Sequence, residues 1–405
     1  MSVYKLVHTI NKKEKRPNPI RYGDILLYGS TILLALFGCI MIVSATMGTA
    51  AGSFSVLIKT ILKQIIFIVG GFIGMFAINA MFKLKLLDNS NFLTALIVMM
   101  FVMLVLPLGF TDSNGAHAWI PLGVMTIQPS EFAKLGIILL VASYMGNKGK
   151  VPMKAFKTMY WTLFVLVILF VGIVVFLQGD FGSGMVMFCI AAICLFVPST
   201  RRLDNIQHTM RVAVALGTVA VVVILFLPIG EKIIDMFVFL KDYQKARIFS
   251  ARNPFADQFG TGYQLINGLV AFASGGFMGQ GFGNSVRKFT NFPAANTDYI
   301  LSIIVEETGF FGFICVFTFY TVIIYRLFKY ALLIKNEKAR IILVGMAAYF
   351  FIHFLFNVGG VTGLIPLTGV PLLLLSSGGS SAASVLLGIG FAQAVISQYK
   401  MGEIK

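Results

Sequence analysis

Apolar runs of about 20 residues, long enough to cross roughly 30 Å of hydrocarbon, recur along almost the whole of this chain. Each such run closes its backbone hydrogen bonds within one helix and offers its side chains to lipid. A series of them therefore commits the chain to a helical bundle in a bilayer. About ten can be counted, at residues 25–46, 61–82, 92–110, 132–145, 159–177, 181–198, 212–228, 299–325, 341–357 and 381–396. The fourth is short unless Pro129 to Glu131 already lie in the membrane. Only 12% of the 405 residues are charged, against about 25% in soluble domains, and the deficit runs the whole length. The expected fold class is an all-α polytopic membrane protein of about ten transmembrane helices with one long extracytoplasmic loop.

A formal charge of +16 would point to nucleic acid in a soluble protein; in a membrane protein its placement decides the reading. Alternate connections carry Lys5, Lys12, Lys13, Lys15, Arg16 and Arg21; Lys83 and Lys85; Lys148, Lys150, Lys154 and Lys157; Arg201, Arg202 and Arg211; Arg326, Lys329, Lys335, Lys338 and Arg340; Lys400 and Lys405. The opposite short connections are nearly free of Lys and Arg, so both termini are expected in the cytoplasm. The chain then divides into a basic cytoplasmic tail (1–23), seven helices (24–229), the long extracytoplasmic loop (230–298), three helices (299–397) and a cytoplasmic tail (398–405). The first apolar run exceeds the roughly 7 to 15 residues of a signal-peptide core and is expected to be retained. Cys39, Cys189, Cys194 and Cys315 all fall inside apolar runs, as packing or lipid-facing residues would. The sequence lacks a G-x-x-x-x-G-K-[ST] loop, which argues against ATP-driven pumping by this chain alone.

The long outer segment is expected to be structureless for most of its length, with one helix over 262–272 lying at or dipping into the interface. Its Gly279-Gln280-Gly281-Phe282-Gly283 stretch has Asn284 where a dinucleotide loop needs a third glycine and reads as a tight backbone turn. A charge at mid-bilayer costs on the order of 3 kcal/mol, so the few ionisable residues in or beside the runs need a cavity or a partner. Glu131 and Lys134 sit three apart on one helical face. If the outer helix ends meet, Lys134 is shared with Asp180, which lies in the glycine-rich turn before the sixth run. A packing ion network and a catalytic role are equally open for these three, and support duty is assigned to them.

Asp298 follows Thr297 where the long loop re-enters the membrane, and partial desolvation there would lift its pKa toward the range of a general base. Two blander readings stand beside it. Thr297 could cap the next helix, and Asp298 could satisfy the positive end of its dipole. Glu306 and Glu307 lie about 12 Å further along a continuous helix, too far to share a metal with Asp298. The outer segment holds Lys232, Lys241, Lys245, Arg247, Arg252, Arg287 and Lys288 against Glu231, Asp235, Asp242 and Asp257. Long translocated loops escape the charge rule, so this basic excess is either accidental or focuses an anionic substrate at the membrane surface, two readings equally open. A pyrophosphate leaving group in particular needs charge stabilisation and not a protonating acid.

Several ordered stretches carry a resemblance. Gly115-Ala116-His117-Ala118-Trp119-Ile120-Pro121-Leu122-Gly123 followed by Gln128-Pro129-Ser130-Glu131-Phe132-Ala133-Lys134 resembles an outer-loop signature of the SEDS family (shape, elongation, division and sporulation). Gln178-Gly179-Asp180, Gly262-Tyr263-Gln264, Gly283-Asn284-Ser285, Thr297-Asp298-Tyr299, Leu364-Ile365-Pro366-Leu367-Thr368-Gly369 and Ser376-Ser377-Gly378-Gly379-Ser380 agree with it, over about 24–396. The Gly-Asn-Ser and Leu-Ile-Pro-Leu-Thr-Gly stretches look more like the cell-division branch than the elongation branch. The chain departs from the family at His117 and Ala118, where two basic residues are common, which puts phosphate contact by that loop in doubt. Gly179, Ala294 and Ser377 also replace usual residues, and the Thr-Asp-Tyr motif is intact.

The resemblance implies a peptidoglycan glycosyltransferase that polymerises lipid II into nascent glycan strands at the outer face of the bacterial plasma membrane, at the division septum. The implied partners are a class B penicillin-binding protein and other divisome proteins, with no nucleic acid. It implies Asp298 as the base that takes the proton from the 4-hydroxyl of the acceptor sugar, which attacks the donor anomeric carbon with inversion. Glu131, Lys134, Asp180 and Thr297 would support it. Trp119, Arg247, Gln264, Lys288 and Ser380 would contact substrate, and a divalent cation (Mg or Mn) is the cofactor to look for. A lipid II flippase and a scaffold that only activates the transpeptidase are the competing readings.

Overall fold

The computed structural model describes residues 18–49, 54–110, 116–123, 125–149, 151–227, 230, 242–290 and 292–405. Lys5, Lys12, Lys13, Lys15, Arg16, Gly115, Lys150, Glu231, Lys232, Asp235 and Lys241 lie outside the described residues. Seven helices precede the long outer segment: α1 Ile25–Thr49, α2 Phe54–Met81, α3 Ser90–Val105, α4 Pro129–Met145, α5 Met153–Gly172, α6 Phe181–Leu195 and α7 Asp204–Phe226. A short antiparallel hairpin of β1 Ile120–Leu122 and β2 Met125–Ile127 leads into α4. Within the segment stand α8 Asp242–Arg252 and α9 Tyr263–Gly275, and α10 Ile300–Leu333, α11 Glu337–Val361 and α12 Gly379–Lys400 complete the bundle.

Eight of the described helices are long and apolar enough to cross a membrane, and the chain is a multi-pass membrane protein. The other two from the apolar runs are shorter. Helix α4 has 17 residues and does begin at Pro129, the residue type favoured in a helix's first turn, and α6 has 15. Both sit in the interior, where α4 packs against α6, α11 and α12 and is buried on nearly every side. Helix α7 is the opposite case, with no buried residue among its 23, and it meets the rest of the described protein mainly near its two ends. Small residues let α2 and α12 approach closely, as they do wherever helices associate in lipid. A Cβ added to Gly390 would stand 2.7 Å from the Met75 carbonyl oxygen.

One end of the bundle gathers the residues just before α1, the α10–α11 turn and the C-terminus. Lys335 and Asn336 each donate a backbone N–H to the Lys405 carbonyl at 2.9 Å, Lys400 Nζ donates to Gly23 O at 3.0 Å, and Arg326 pairs with Asp24. The first helix therefore starts, and the last one finishes, at the same end of the bundle, as an even number of crossings demands.

The long segment holds the helix expected over 262–272, which is α9 and lies along α10, and a second helix, α8, that was not expected. One expectation needs correction. The eighth span is not continuous. Gly309 has φ 67° and breaks α10 just after Glu306 and Glu307. The glycine turn fills that break: Gln280 and Gly281 donate their N–H groups to Glu306 O at 2.8 Å and Glu307 O at 3.0 Å, and Phe310 N–H reaches Gly276 O at 2.9 Å. Backbone groups freed by the break thus keep partners, which a membrane interior requires. Positive φ at Gly279, Gly281 and Gly283 is what lets the turn approach so near, in keeping with its reading as a tight turn.

Candidate active site

Asp298 stands two residues before α10, which starts at Ile300 with no side-chain cap. Thr297 does not cap that helix. Its hydroxyl turns back to Ala294 O at 3.3 Å, and the Thr297 and Tyr299 N–H groups both donate to that oxygen at 3.1 Å. The result is a tight turn whose backbone is pinned from outside. Ser376 Oγ donates to Thr297 O at 2.7 Å, Ser377 N–H to Asn296 O at 2.8 Å, and Asn357 Nδ2 to Asp298 O at 2.9 Å and Val370 O at 3.1 Å. Helix α11 and the connection 362–378 therefore set where Asp298 points without using its carboxylate.

That carboxylate is half-buried, and among the described residues no hydrogen bond ends on it. Burial pushes its pKa above the usual carboxylate range, and the Arg247 guanidinium from α8 pulls the other way. Arg247 is itself oriented by its Nη1 donating to Leu367 O at 3.1 Å. Gly369 keeps the space beside the pair open, since a Cβ there would lie 3.5 Å from Arg247 Nη1 and 3.9 Å from Asp298 Oδ2. Gly369 has φ 73°, a conformation that costs an L side chain about 1–2 kcal/mol. Gly369→Ala is accordingly expected to lower thermal stability in detergent by that amount, and an unchanged melting temperature would contradict this account of the turn. A cleft beside Asp298 is lined by Arg247, Ser250, Gln264, Tyr299, Ile365 and Leu367, so two of the residues expected to contact substrate, Arg247 and Gln264, come together there.

The other expected residues divide. Glu131 and Lys134 form the ion pair anticipated from their spacing, Nζ to Oε1 2.7 Å, with about 1% of either side chain exposed. Asp180 does not share Lys134. It caps α6, accepting from Ser183 N–H at 3.0 Å, and takes Gln128 Nε2 at 2.7 Å, while the second partner of Lys134 is His353 Nε2 at 3.1 Å. Ser380 is buried and anchors the hairpin, accepting Gln128 N–H at 3.0 Å and donating to Thr126 O at 3.3 Å, so it faces protein where a substrate contact was expected. Trp119 is half-buried just before β1.

Lys288 is the clearest correction. Its ammonium is fully buried, bonded to Glu307 Oε1 at 2.8 Å, Ser44 Oγ at 3.0 Å and Gly283 O at 2.6 Å, and is spent on the fold. Its neighbour Arg287 stays half-buried, its Nη1 on Asn267 Oδ1 at 3.0 Å. Asn267 and Gln264 are three apart on α9, which sets Arg287 about one helical turn from the cleft. Arg252 is used structurally, donating to Leu227 O at 3.1 Å beyond the end of α7.

Sequence reasoning passed over His353, Asn357, Ser376 and Lys63, the last donating from α2 to Thr126 Oγ1 at 3.3 Å. His353 and Lys63 lie inside apolar runs, so the test that picked out Glu131 would have found them. Asn357 and Ser376 carry no such signal. Among the described residues no three His, Cys, Asp or Glu gather as a metal site. Glu306 is held by Ser285 Oγ at 2.5 Å and Glu307 by Lys288, whereas Asp298, next in sequence to the cleft residue Tyr299, accepts no hydrogen bond on its carboxylate from the described residues. A divalent cation there would draw most of its ligands from water and the substrate's phosphates.

The geometry meets known proteins at this point. The family model described as cell cycle protein, covering FtsW, RodA and SpoVE, matches residues 24–401. "Stage V sporulation protein E" of Bacillus subtilis is 32% identical over 367 residues, covering 91% of this chain and 95% of that protein. "Probable peptidoglycan glycosyltransferase FtsW" of Aromatoleum aromaticum is 30% identical over 406 residues, 97% of this chain and 93% of that one. Among solved structures, a chain of the one described as "Structural coordination of polymerization and crosslinking by a peptidoglycan synthase complex" superposes with TM-score 0.68 at 24% identity, covering 93% of this chain and 98% of its own. The rod shape determining protein RodA of Thermus thermophilus does so with TM-score 0.62 at 22% identity, covering 93% and 97%. These two likenesses establish the fold. With a family model spanning the bundle and relatives matched over nearly their full length, the chain belongs to the FtsW/RodA/SpoVE family, the shape, elongation, division and sporulation family to which its motifs pointed.

Proposed function

We propose that this protein is a peptidoglycan glycosyltransferase that polymerises lipid II at the outer face of the plasma membrane, with Asp298 as general base. The observation that carries the reading is a half-buried carboxylate whose backbone is held rigidly while its oxygens face an arginine across open space. Asp298 takes the proton from the acceptor 4-hydroxyl as that oxygen attacks the donor's anomeric carbon. Arg247, with Arg287 in the place expected for Lys288, holds the departing pyrophosphate.

In that reading the end that carries Gly23 and Lys405 faces the cytoplasm and Asp298 the opposite side, an orientation supported by the basic connections. A class B penicillin-binding protein is the proposed partner, in line with the complex to which one solved relative belongs, and the division septum the proposed location, in line with the FtsW relatives.

Polymerisation of purified lipid II with the cognate transpeptidase present tests the activity. Movement of labelled lipid across proteoliposomes without any glycan strand would favour a flippase, and cell growth with an inactive site would favour a scaffold. The pH dependence has a definite sign. A base with a raised pKa loses activity, as pH falls, earlier than an ordinary carboxylate of pKa about 4 would. Arg247 lowers that pKa, so Arg247→Gln is expected to move the acid limb of kcat/KM to higher pH. A limb that stays put or moves down would contradict the pairing.

A further inference from the structure

Lys134 can only donate hydrogen bonds, so His353 Nε2 must accept, and the ring's proton must sit on Nδ1, 2.9 Å from Pro371 O. His353 is therefore held neutral, in one tautomer, between the intramembrane ion pair and the connection 362–378. The rest of the pair's shell is complete. Tyr349 donates to Glu131 Oε2 at 2.8 Å and lies 2.9 Å from Ser384 Oγ. His353 and Asn357, four apart on α11, thus grip consecutive carbonyls, Pro371 by the imidazole and Val370 by the amide, and Asn357 holds Asp298 O as well. Further along the same connection, Ser376 Oγ accepts Leu372 N–H at 2.8 Å and donates to Thr297 O at 2.7 Å. A buried hydrogen-bonded path runs without interruption from Glu131 to the two residues of the Thr-Asp pair.

We propose that His353 is a positioning residue for Asp298: its Nδ1–H clasp on Pro371 fixes the 362–378 connection that aims the base, and the Glu131–Lys134 pair exists to hold that tautomer. This rests on the reading of Asp298 as the base, but its structural half can be measured without catalysis. The side chain's two nitrogens can be separated by substitution. Asparagine places an amide N–H near the Nδ1 position and keeps the clasp, whereas glutamine reaches the Nε2 position and keeps only the lysine contact.

The test uses the full-length protein in detergent, with two readouts: amide hydrogen exchange over 368–378 without substrate, and lipid II polymerisation kinetics with the partner present. His353→Ala and His353→Gln are expected to speed exchange of amides such as Leu372 and Ser377 and to lower kcat by about 10- to 100-fold, with KM within about twofold of wild type. His353→Asn should restore both. Unchanged exchange in His353→Ala, rescue by glutamine and not asparagine, or a loss confined to KM would each overturn the proposal. If the alanine variant fails to fold, the asparagine–glutamine comparison still decides. Full activity in Asp298→Asn together with the expected exchange pattern would sink the base reading and leave the clasp standing, so the two failures are distinguishable.

Discussion

Asp298→Asn is expected to lower lipid II polymerisation by at least about 100-fold, the scale on which a positioned base contributes. The substitution removes proton acceptance and little else. Every hydrogen bond that fixes the turn uses a backbone carbonyl or amide, namely Asn357 on Asp298 O, Ser376 on Thr297 O and Ser377 on Asn296 O, so the amide should occupy the carboxylate's place. Stability should not fall with activity. An aspartate with a raised folded-state pKa contributes stability that is full below its unfolded pKa and is lost as pH rises through the folded one. That loss is absent in the asparagine variant, which has no carboxyl to ionise, so the variant's melting temperature should equal the wild type's at low pH and match or exceed it as pH rises. Full polymerising activity in a well-folded Asp298→Asn protein would end the catalytic claim. A variant that is both inactive and markedly less stable would show that the side chain holds the turn, contrary to the contacts described.

Lys288→Ala is expected to destabilise the protein by about 3–5 kcal/mol, because it strands Glu307 as a buried charge without a cation. Glu307 would keep Ser44 Oγ at 2.7 Å, too little to offset a desolvated carboxylate. The loss should be read as lowered thermal stability in detergent, with faster proteolysis of the 276–289 turn, which this lysine secures against α1 and the broken α10. Lys288→Met combined with Glu307→Leu should recover most of the stability, since replacing both charges by apolar groups of similar size is often neutral. A small effect of Lys288→Ala on stability, with a large rise in KM for lipid II, would return Lys288 to the substrate-binding role that its structure denies it.

Much of the fold was legible in the sequence because the bilayer simplifies the problem. A helix that must satisfy its own backbone in hydrocarbon advertises itself as an apolar run, and each of the runs became a helix of the bundle. Glu131 and Lys134 were legible for the same reason: three residues apart on a helix, they had to meet, and they do at 2.7 Å. Asp298 stood out because a carboxylate at the membrane surface is costly. What failed was the reading of the basic residues in the outer segment. Arg247, Arg252, Arg287 and Lys288 are alike as letters, yet one stands near Asp298, one ties α8 to the end of α7, one lies a turn away and one is sealed inside. Sequence distance from an apolar run does not say which side of a turn a side chain leaves from. The kink at Gly309, which seats the glycine turn and buries Lys288, has no local signature to separate it from the many glycines tolerated in membrane helices.

The sequence by itself determined the class of molecule and its membrane helices. Both follow from a one-dimensional cost, the transfer of an apolar or charged residue between water and lipid, which adds up along the chain whatever the packing. The charge pattern gave an expected orientation, and the Thr-Asp-Tyr motif chose the carboxylate worth testing. Only the tertiary structure decided which partner each buried charge has. Lys134 could meet Asp180 or His353, and Lys288 a phosphate or Glu307; the choice depends on which helix faces packing brings into hydrogen-bond reach, and that packing joins residues far apart in sequence, as His353 is from Lys134 and Ser44 from Lys288.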